Sequence, residues 1–211
     1  MYKINKITKK RNGNYNLYLE DYKCEKFEIH KEILYRYKIY KIDEIDDETL
    51  DEALAENEKL LAKDCALRTL NYSAKTYLEL KQKLRSKFFS DEAIDYALDF
   101  VQRQGFIDEE KVAENLVSGK YKNSRYSKRR MYADLRKRGI SGEVISELTE
   151  DIDDDVEYEN AMYYAKKKLH SINDADKNLI KRKIYSALSY RGFSYDTAKK
   201  VVADLLKEYE I

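Results

Sequence analysis

The sequence has no proline and no tryptophan, and it contains only six glycines, two cysteines and two histidines. Proline and glycine are the residues that disfavour helix interiors most, so their scarcity favours a mainly α-helical protein. The two cysteines, Cys24 and Cys65, do not form a disulfide framework and indicate a reducing compartment. We interpret Cys65, which lies on an apolar helix face, as a core residue rather than a nucleophile.

Targeting and membrane signals are also missing. The N-terminus MYKINKITKK has no apolar signal-peptide core, and no apolar run reaches about 18 residues. We therefore expect no membrane span and a cytoplasmic location.

The residue patterns of catalytic and metal sites are equally scarce. His30 and His170 belong to no Cys/His or Ser/His constellation, and neither GxxxxGK[ST] nor GxGxxG occurs. The acidic run at 150–159 lacks the glycine and the spacing of a calcium loop. We expect a protein that is not an enzyme and that holds no metal and no cofactor.

Charge is abundant but segregated along the chain, although the net charge is only +1. Residues 43–58 carry nine acids and no Lys or Arg, and residues 141–159 carry nine more. Residues 119–138 carry nine bases against the single acid Asp134. One interpretation is a set of solvated helix faces that neutralise one another. Because exposed charges interact over only about 8 Å in physiological salt, the local blocks matter more than the total.

The first 42 residues show a strand pattern. Tyr15, Leu17 and Leu19 alternate with polar positions, and the preceding Asn12-Gly13 pair favours a tight hairpin turn. We expect further strands from Tyr2, around Phe27 and Ile29, and over 38–42, a second turn at Asp21–Tyr22, and a short helix over 30–37. The acidic segment 43–58 is expected to form a linker helix.

An internal repeat follows. Segments 83–94, 134–145 and 187–198 each contain a leucine, then a large apolar residue and a serine. Each pattern predicts a helix that ends near a glycine, followed by a serine that caps the next helix. Gly139 and Gly192 hold the turn position, whereas Phe88 replaces glycine in the first repeat and predicts a turn that is differently shaped or strained.

With a leading helix in each unit, the sequence predicts a mainly α fold. Three tandem three-helix repeats form an elongated array, preceded by a small antiparallel β region. The expected boundaries are 1–57 for the β-sheet and linker helix, then 58–106, 107–153 and 154–211 for the repeats.

Cations cluster on the predicted second and third repeats. Five of these cations cannot all lie on the buried stripe of one helix, so they project and suit a phosphate backbone or an acidic protein surface; they are Lys128, Arg129, Arg130, Lys137 and Arg138. The twenty tyrosines of the chain, including Tyr126 and Tyr132 here, are expected first to pack between helices and second to stack on bases. The candidate binding residues are Lys120, Lys122, Arg125, Lys128, Arg129, Arg130, Arg136, Lys137, Arg138, Lys166, Lys167, Lys168, Lys181, Arg182 and Lys183.

Three ordered segments resemble the RecX family, regulators of the bacterial recombinase RecA. The first runs from CALRTLNYS to DFVQRQG, the second from GFIDEEKVAENLV to ADLRKRGIS, and the third is ALSYRGFSYDTAKKVV. The resemblance covers about residues 60–208 and implies repeated three-helix units. It also implies a non-enzymatic inhibitor that lies in the groove of the RecA–DNA filament. There it would depress ATP hydrolysis, strand exchange and co-protease activity.

We therefore expect a monomer whose partners are the RecA filament and single-stranded DNA within or beside it. One alternative is a helical-repeat nucleic-acid-binding protein without a recombinase target. Another is a scaffold whose acidic blocks, 43–58 and 141–159, bind a basic protein.

Overall fold

A computed structural model describes residues 1–20, 22, 26–119, 125–150, 154–172 and 176–209. The chain divides into two compact units, Met1–Ile107 and Asp108–Ile211. Within the described residues the first unit holds a small sheet and four helices, and the second holds six helices. None of the described helices is both long and apolar enough to span a membrane.

The N-terminal sheet is antiparallel, with four strands in the order β3-β2-β1-β4. Its turn between β1 and β2 follows the Asn-Gly prediction, since Gly13 adopts a φ of +88° and the Lys10 amide donates to the Asn14 carbonyl at 2.8 Å. The predicted second turn lies largely outside the described residues. The strands are β1 (Tyr2–Lys9), β2 (Tyr15–Leu19), β3 (Phe27–Ile29) and β4 (Glu44–Ile45).

Between β3 and β4 the chain forms helix α1 (Lys31–Arg36) and a single 3₁₀ turn (Ile39–Lys41). The strand predicted over 38–42 is therefore wrong. Lys38 adopts a left-handed backbone with φ of 54°, which starts the 3₁₀ turn and buries Ile39 in the core. Pairing with β1 begins only at Glu44.

Helix α2 (Asp47–Tyr72) starts at Asp46, whose carboxylate accepts from the Thr49 amide at 2.8 Å. Its first half packs on the sheet, where Leu50 and Ala53 are buried with the strand residues. The acidic segment is thus not a separate linker helix, because its apolar side completes the core of the sheet. The predicted boundary between 57 and 58 falls inside this helix, and the repeat boundaries stay a prediction.

The second half of α2 joins α3 (Tyr77–Arg85) and α4 (Asp91–Arg103) as the first helix triplet. Their apolar stripes meet in one core that includes Ala66, Leu80, Leu84 and Leu98. Cys65 is half-buried and packs against this core, which agrees with the interpretation from sequence.

The second unit contains two more triplets with separate cores. Asp108 caps the first of these helices and accepts from the Lys111 amide at 2.9 Å, as the sequence predicted. The second triplet consists of α5 (Glu109–Leu116), α6 (Lys128–Lys137) and α7 (Gly142–Glu150), and the third of α8 (Asp154–Leu169), α9 (Lys177–Tyr190) and α10 (Tyr195–Glu208).

The same turn follows the middle helix of every triplet. Phe88, Gly139 and Gly192 adopt φ values of 63°, 88° and 86°, and each donates its amide three residues back, at 2.9, 3.0 and 2.9 Å. The first turn differs in one bond, because the Ile140 and Phe193 amides donate to carbonyls five residues back, at 3.2 Å each, and Phe89 makes no such bond to a described residue. Phe88 also adopts its left-handed φ with a strained backbone. The predicted serine caps are present, with each hydroxyl accepting an amide three residues on.

Candidate partner-binding surface

Helix α6 carries the densest positive charge of the second unit on one face. Met131 and Leu135, four residues apart, are buried and hold its inner side against the core. Residues on the opposite side of the helix from Met131 and Leu135 must then point outward. This outer face, named here the α6 face, consists of Arg129, Arg130, Tyr132, Arg136 and Lys137, all exposed.

The N-terminus of α6 is fixed to the third triplet by Ser127. The buried Ser127 hydroxyl accepts from the Arg130 amide at 3.2 Å and donates to the Arg191 carbonyl at 2.7 Å. That carbonyl lies in the turn formed by Gly192, where a Cβ would come within 2.8 Å of the hydroxyl. Glycine is thus needed here for its φ and for close approach.

Carboxylates of α8 compensate the charge at the same helix end. The positive end of a helix dipole disfavours cations, yet the first turn of α6 reads Lys128-Arg129-Arg130. The buried Glu157 accepts from the Lys128 amide at 2.9 Å, and Asp154 pairs with the Lys128 ammonium at 2.7 Å. The hydrogen bond from Lys128 lowers the pKa of Asp154, so this carboxylate stays ionised at neutral pH.

Three arginines of this region lie over tyrosine rings. Arg125 lies 4.1 Å from the ring centre of Tyr163, and Arg191 lies 3.7 Å from that of Tyr164. The third, Arg130, lies 4.4 Å from the centre of Tyr126. These tyrosines therefore hold guanidinium groups in place. For these three tyrosines the predicted packing role is observed, whereas Tyr132 is exposed on the α6 face and base stacking stays a prediction.

The cations of the third triplet are divided between two helices. Lys166 of α8 pairs with Glu208 of α10 at 2.7 Å, a bond that raises the pKa of this lysine. Lys168, Arg182 and Lys183 line a cleft of about 410 Å³ between α8 and α9, together with Tyr190. Lys181 instead lines a groove between α9 and α10.

The structure thus sorts the predicted residues into groups. Arg129, Arg136 and Lys137 project without an ion pair to any described residue, and Lys167 and Arg182 are exposed. Lys128 and Lys166 form internal ion pairs, Arg125 and Arg130 cover tyrosine rings, and Arg138 is half-buried and has an interaction partner. Lys120 and Lys122 lie outside the described residues.

The first triplet has a basic cleft that sequence reasoning missed. Arg68 and Lys75 meet Lys83 and Lys87 across a cleft of about 810 Å³ between α2 and α3, beside Tyr72. No spacing along one helix could have revealed it, because Lys75 lies between α2 and α3 and Lys87 lies in the turn after α3. In the described ranges no three metal-ligating side chains come together, and residues 151–153 of the acidic run are not among them.

Family domains match this chain in the order of its triplets. The first three-helix domain of RecX matches residues 62–100, the second matches 108–148 and the third matches 155–202. The chain is 33% identical over 207 residues to the regulatory protein RecX of Clostridioides difficile strain 630, covering 96% of this chain and 95% of the relative. The chain belongs to the RecX family.

Other RecX proteins extend the similarity over the N-terminal sheet. The regulatory protein RecX of Clostridium botulinum strain Alaska E43 is 31% identical, covering 98% of this chain and 97% of the relative. A crystal structure of regulatory protein RecX has the same fold, with a TM-score of 0.67 at 22% identity and 95% and 98% of the two chains covered. RecX from Lactobacillus salivarius matches with a TM-score of 0.60 at 22% identity, covering 71% of this chain and 97% of the other.

Proposed function

We propose that this member of the RecX family is a non-enzymatic modulator, mainly an inhibitor, of the RecA recombinase. It binds in the groove of the RecA–DNA filament in the cytoplasm and depresses ATP hydrolysis, strand exchange and co-protease activity in recombination and DNA repair. Relatives over the whole chain are named regulatory proteins, which supports a regulatory role.

The α6 face supports the choice of a large anionic partner. Two of its cations, Arg129 and Arg130, lie in the first turn of α6, where the helix dipole disfavours them, and only the neighbouring Lys128 is compensated there by two carboxylates of α8. Arg129, Arg136 and Lys137 are exposed and lie outside the core of the unit, so their charges are accessible to a partner. The acidic and phosphate surfaces of a nucleoprotein filament suit such a face.

The test measures DNA-dependent ATP hydrolysis by RecA as this protein is added. We expect the native protein to slow hydrolysis and Arg129→Glu/Arg136→Glu to need at least about tenfold more protein, since two projecting charges are reversed. Helicity should change little, because the helix dipole favours the acid at position 129 in the first turn and disfavours the acid at position 136 in the last turn.

The matched control is Lys6→Glu/Lys9→Glu, which reverses two exposed charges on β1. This control should inhibit like the native protein. Equal inhibition by the α6 variant would place the contact on another face, and no slowing by the native protein at low salt would refute the proposal.

A helical-repeat nucleic-acid-binding protein without a recombinase target is the second candidate. The basic clefts that contain Tyr72 and Tyr190 favour it. Capture of partners from a nuclease-treated lysate separates the two functions. RecA retained after nuclease treatment supports the first, and loss of every partner supports the second.

A further inference from the structure

The cleft between α2 and α3 has a strongly one-sided charge. Its lining includes Arg68, Lys75, Lys83 and Lys87, and none of these four makes an ion pair with a described residue. Unpaired cations that converge on a concave surface repel one another, and an anion relieves that repulsion. The cleft therefore favours a ligand with several negative charges.

The one acid in the lining is already engaged. The Glu79 carboxylate accepts from the Thr76 amide at 3.2 Å, while the Glu79 amide donates to the Thr76 hydroxyl at 3.2 Å. This reciprocal capping box starts α3 and directs the negative charge at the helix end. Glu79 thus has a local role, and its single negative charge leaves the cleft lining with a net positive charge.

An aromatic ring stands beside the cations. Tyr72 is the last residue of α2 and is 92% exposed, so its ring contributes almost nothing to the core. A ring so exposed is available for stacking on a planar group, and unpaired bases supply such groups.

The same combination occurs in the third triplet. The cleft between α8 and α9 combines Lys168 and Arg182 with Tyr190, which is 90% exposed. The two clefts lie between corresponding pairs of helices, although Tyr72 ends the first helix of its triplet and Tyr190 ends the middle helix of its own.

We propose that the α2–α3 cleft binds single-stranded nucleic acid, with the four cations on the phosphate backbone and a base stacked on Tyr72. A duplex would present phosphates but no free base face, so the ring would be unused. An acidic polypeptide would neutralise the cations but would bring no base to stack on the Tyr72 ring. This site requires no recombinase, so its failure would leave the proposed function standing.

The charge test uses the full-length protein and a fluorescent oligothymidylate of about 20 nucleotides, titrated between about 50 and 200 mM salt. Lys83→Glu/Lys87→Glu should weaken binding by at least about tenfold and reduce the salt slope by about 1.4, since each phosphate contact on a single strand contributes about 0.7. Lys83→Arg/Lys87→Arg should retain binding, and so should the β1 control Lys6→Glu/Lys9→Glu.

The stacking test separates the nucleic acid from other anions. Tyr72→Ala should weaken oligothymidylate binding by about fivefold to a hundredfold, whereas Tyr72→Phe keeps the ring and should bind like the native protein. Because the side chain is 92% exposed, circular dichroism should show an unchanged fold for both variants.

Several results would overturn the site. Undiminished binding by the Lys83/Lys87 reversal would mean that the strand lies elsewhere. A duplex of the same length that binds as tightly as the single strand, or polyglutamate that binds as tightly and is insensitive to Tyr72→Ala, would exclude a base-stacking site. Should the double reversal unfold, Lys83→Gln/Lys87→Gln provides the same comparison without added acids.

Discussion

Phe88 combines a strained backbone with a ring that is almost fully exposed to solvent. It adopts a left-handed φ of 63°, where bulky side chains are strained by about 1–2 kcal/mol. Its ring is also 92% exposed, so no buried area offsets that strain. The glycines at the equivalent turns avoid the cost entirely, which explains why the sequence could predict strain here from the repeat alone.

Phe88→Gly should therefore stabilise the protein by about 1 kcal/mol, or raise its melting temperature by about 2–4 °C. Gly192→Ala is the matched opposite change. It should destabilise the protein, because a Cβ there is strained by its φ of 86° and comes within 2.8 Å of the Ser127 hydroxyl. Thermal unfolding of both variants tests this pair. A lower melting temperature for Phe88→Gly would show that the ring makes a stabilising contact.

At the scale of elements, polar side chains fix how neighbouring segments join. In the sheet, Glu28 of β3 receives hydrogen bonds from Lys10, Asn14 and Asn12 of the β1–β2 turn. In the second unit, Ser127 links α6 to the turn before α10. Periodicity predicted the strands and helices that carry these residues, but not the bonds, because partners far apart in sequence meet only after folding.

Glu28 gives the sheet a dependence on pH. Burial alone would raise its pKa, but the hydrogen bonds from Lys10, Asn14 and Asn12 lower it to about 2 from the usual 4.5. A lowered pKa stabilises the folded state above the unfolded value, and this stabilisation is lost as pH falls from about 4.5 towards 2. For a partly exposed group, solvent screening limits the effect to about 1 kcal/mol.

Glu28→Gln should thus lower the free energy of unfolding at about pH 7, and the difference from the native protein should narrow between about pH 4.5 and 3. Urea unfolding at several pH values measures this difference in the free energy of unfolding. Glu32→Gln, an exposed change on α1, is the control and should show little difference. A gap between Glu28→Gln and the native protein that is constant with pH would mean that this carboxylate is not held ionised.

Ser127→Ala removes a helix cap and also leaves the buried end of a hydrogen bond to Arg191 unsatisfied. We expect a loss of about 2–3 kcal/mol from the two effects together. Ser194→Ala removes only an exposed cap and should cost about 1 kcal/mol. Chemical denaturation measures the loss in the free energy of unfolding for each of the two variants. Equal losses would indicate that the bond to Arg191 adds no stability.

At the scale of the whole molecule, the chain is two compact units whose cores are separate clusters. Repeat spacing predicted three triplets, the alternation of apolar and polar residues with an Asn-Gly turn predicted the small sheet, and the clustering of cations predicted the α6 face. The α2–α3 cleft was not predicted, because Arg68 and Lys83 belong to different helices whose facing sides are set by packing. Likewise, nothing in the spacing of Arg125 and Tyr163 indicates that one covers the other.

Separate cores predict local consequences for core mutations. Leu50→Ala, at a fully buried position between α2 and the sheet, should cost about 2–5 kcal/mol. Hydrogen exchange should then accelerate in β1–β4 and α1 and stay unchanged in α8–α10. Val201→Ala in α10 is the reciprocal control, with the opposite pattern expected. Acceleration throughout the chain for either variant would show that the two units unfold together.

Helix α2 is one unbroken rod from Asp47 to Tyr72, gripped by the sheet along its first half and by two other helices along its second. A continuous helix packed in this way is a rigid connection between the sheet and the first triplet. A partner that displaces the strands should therefore displace the first triplet as well, because α2 transmits the movement without bending.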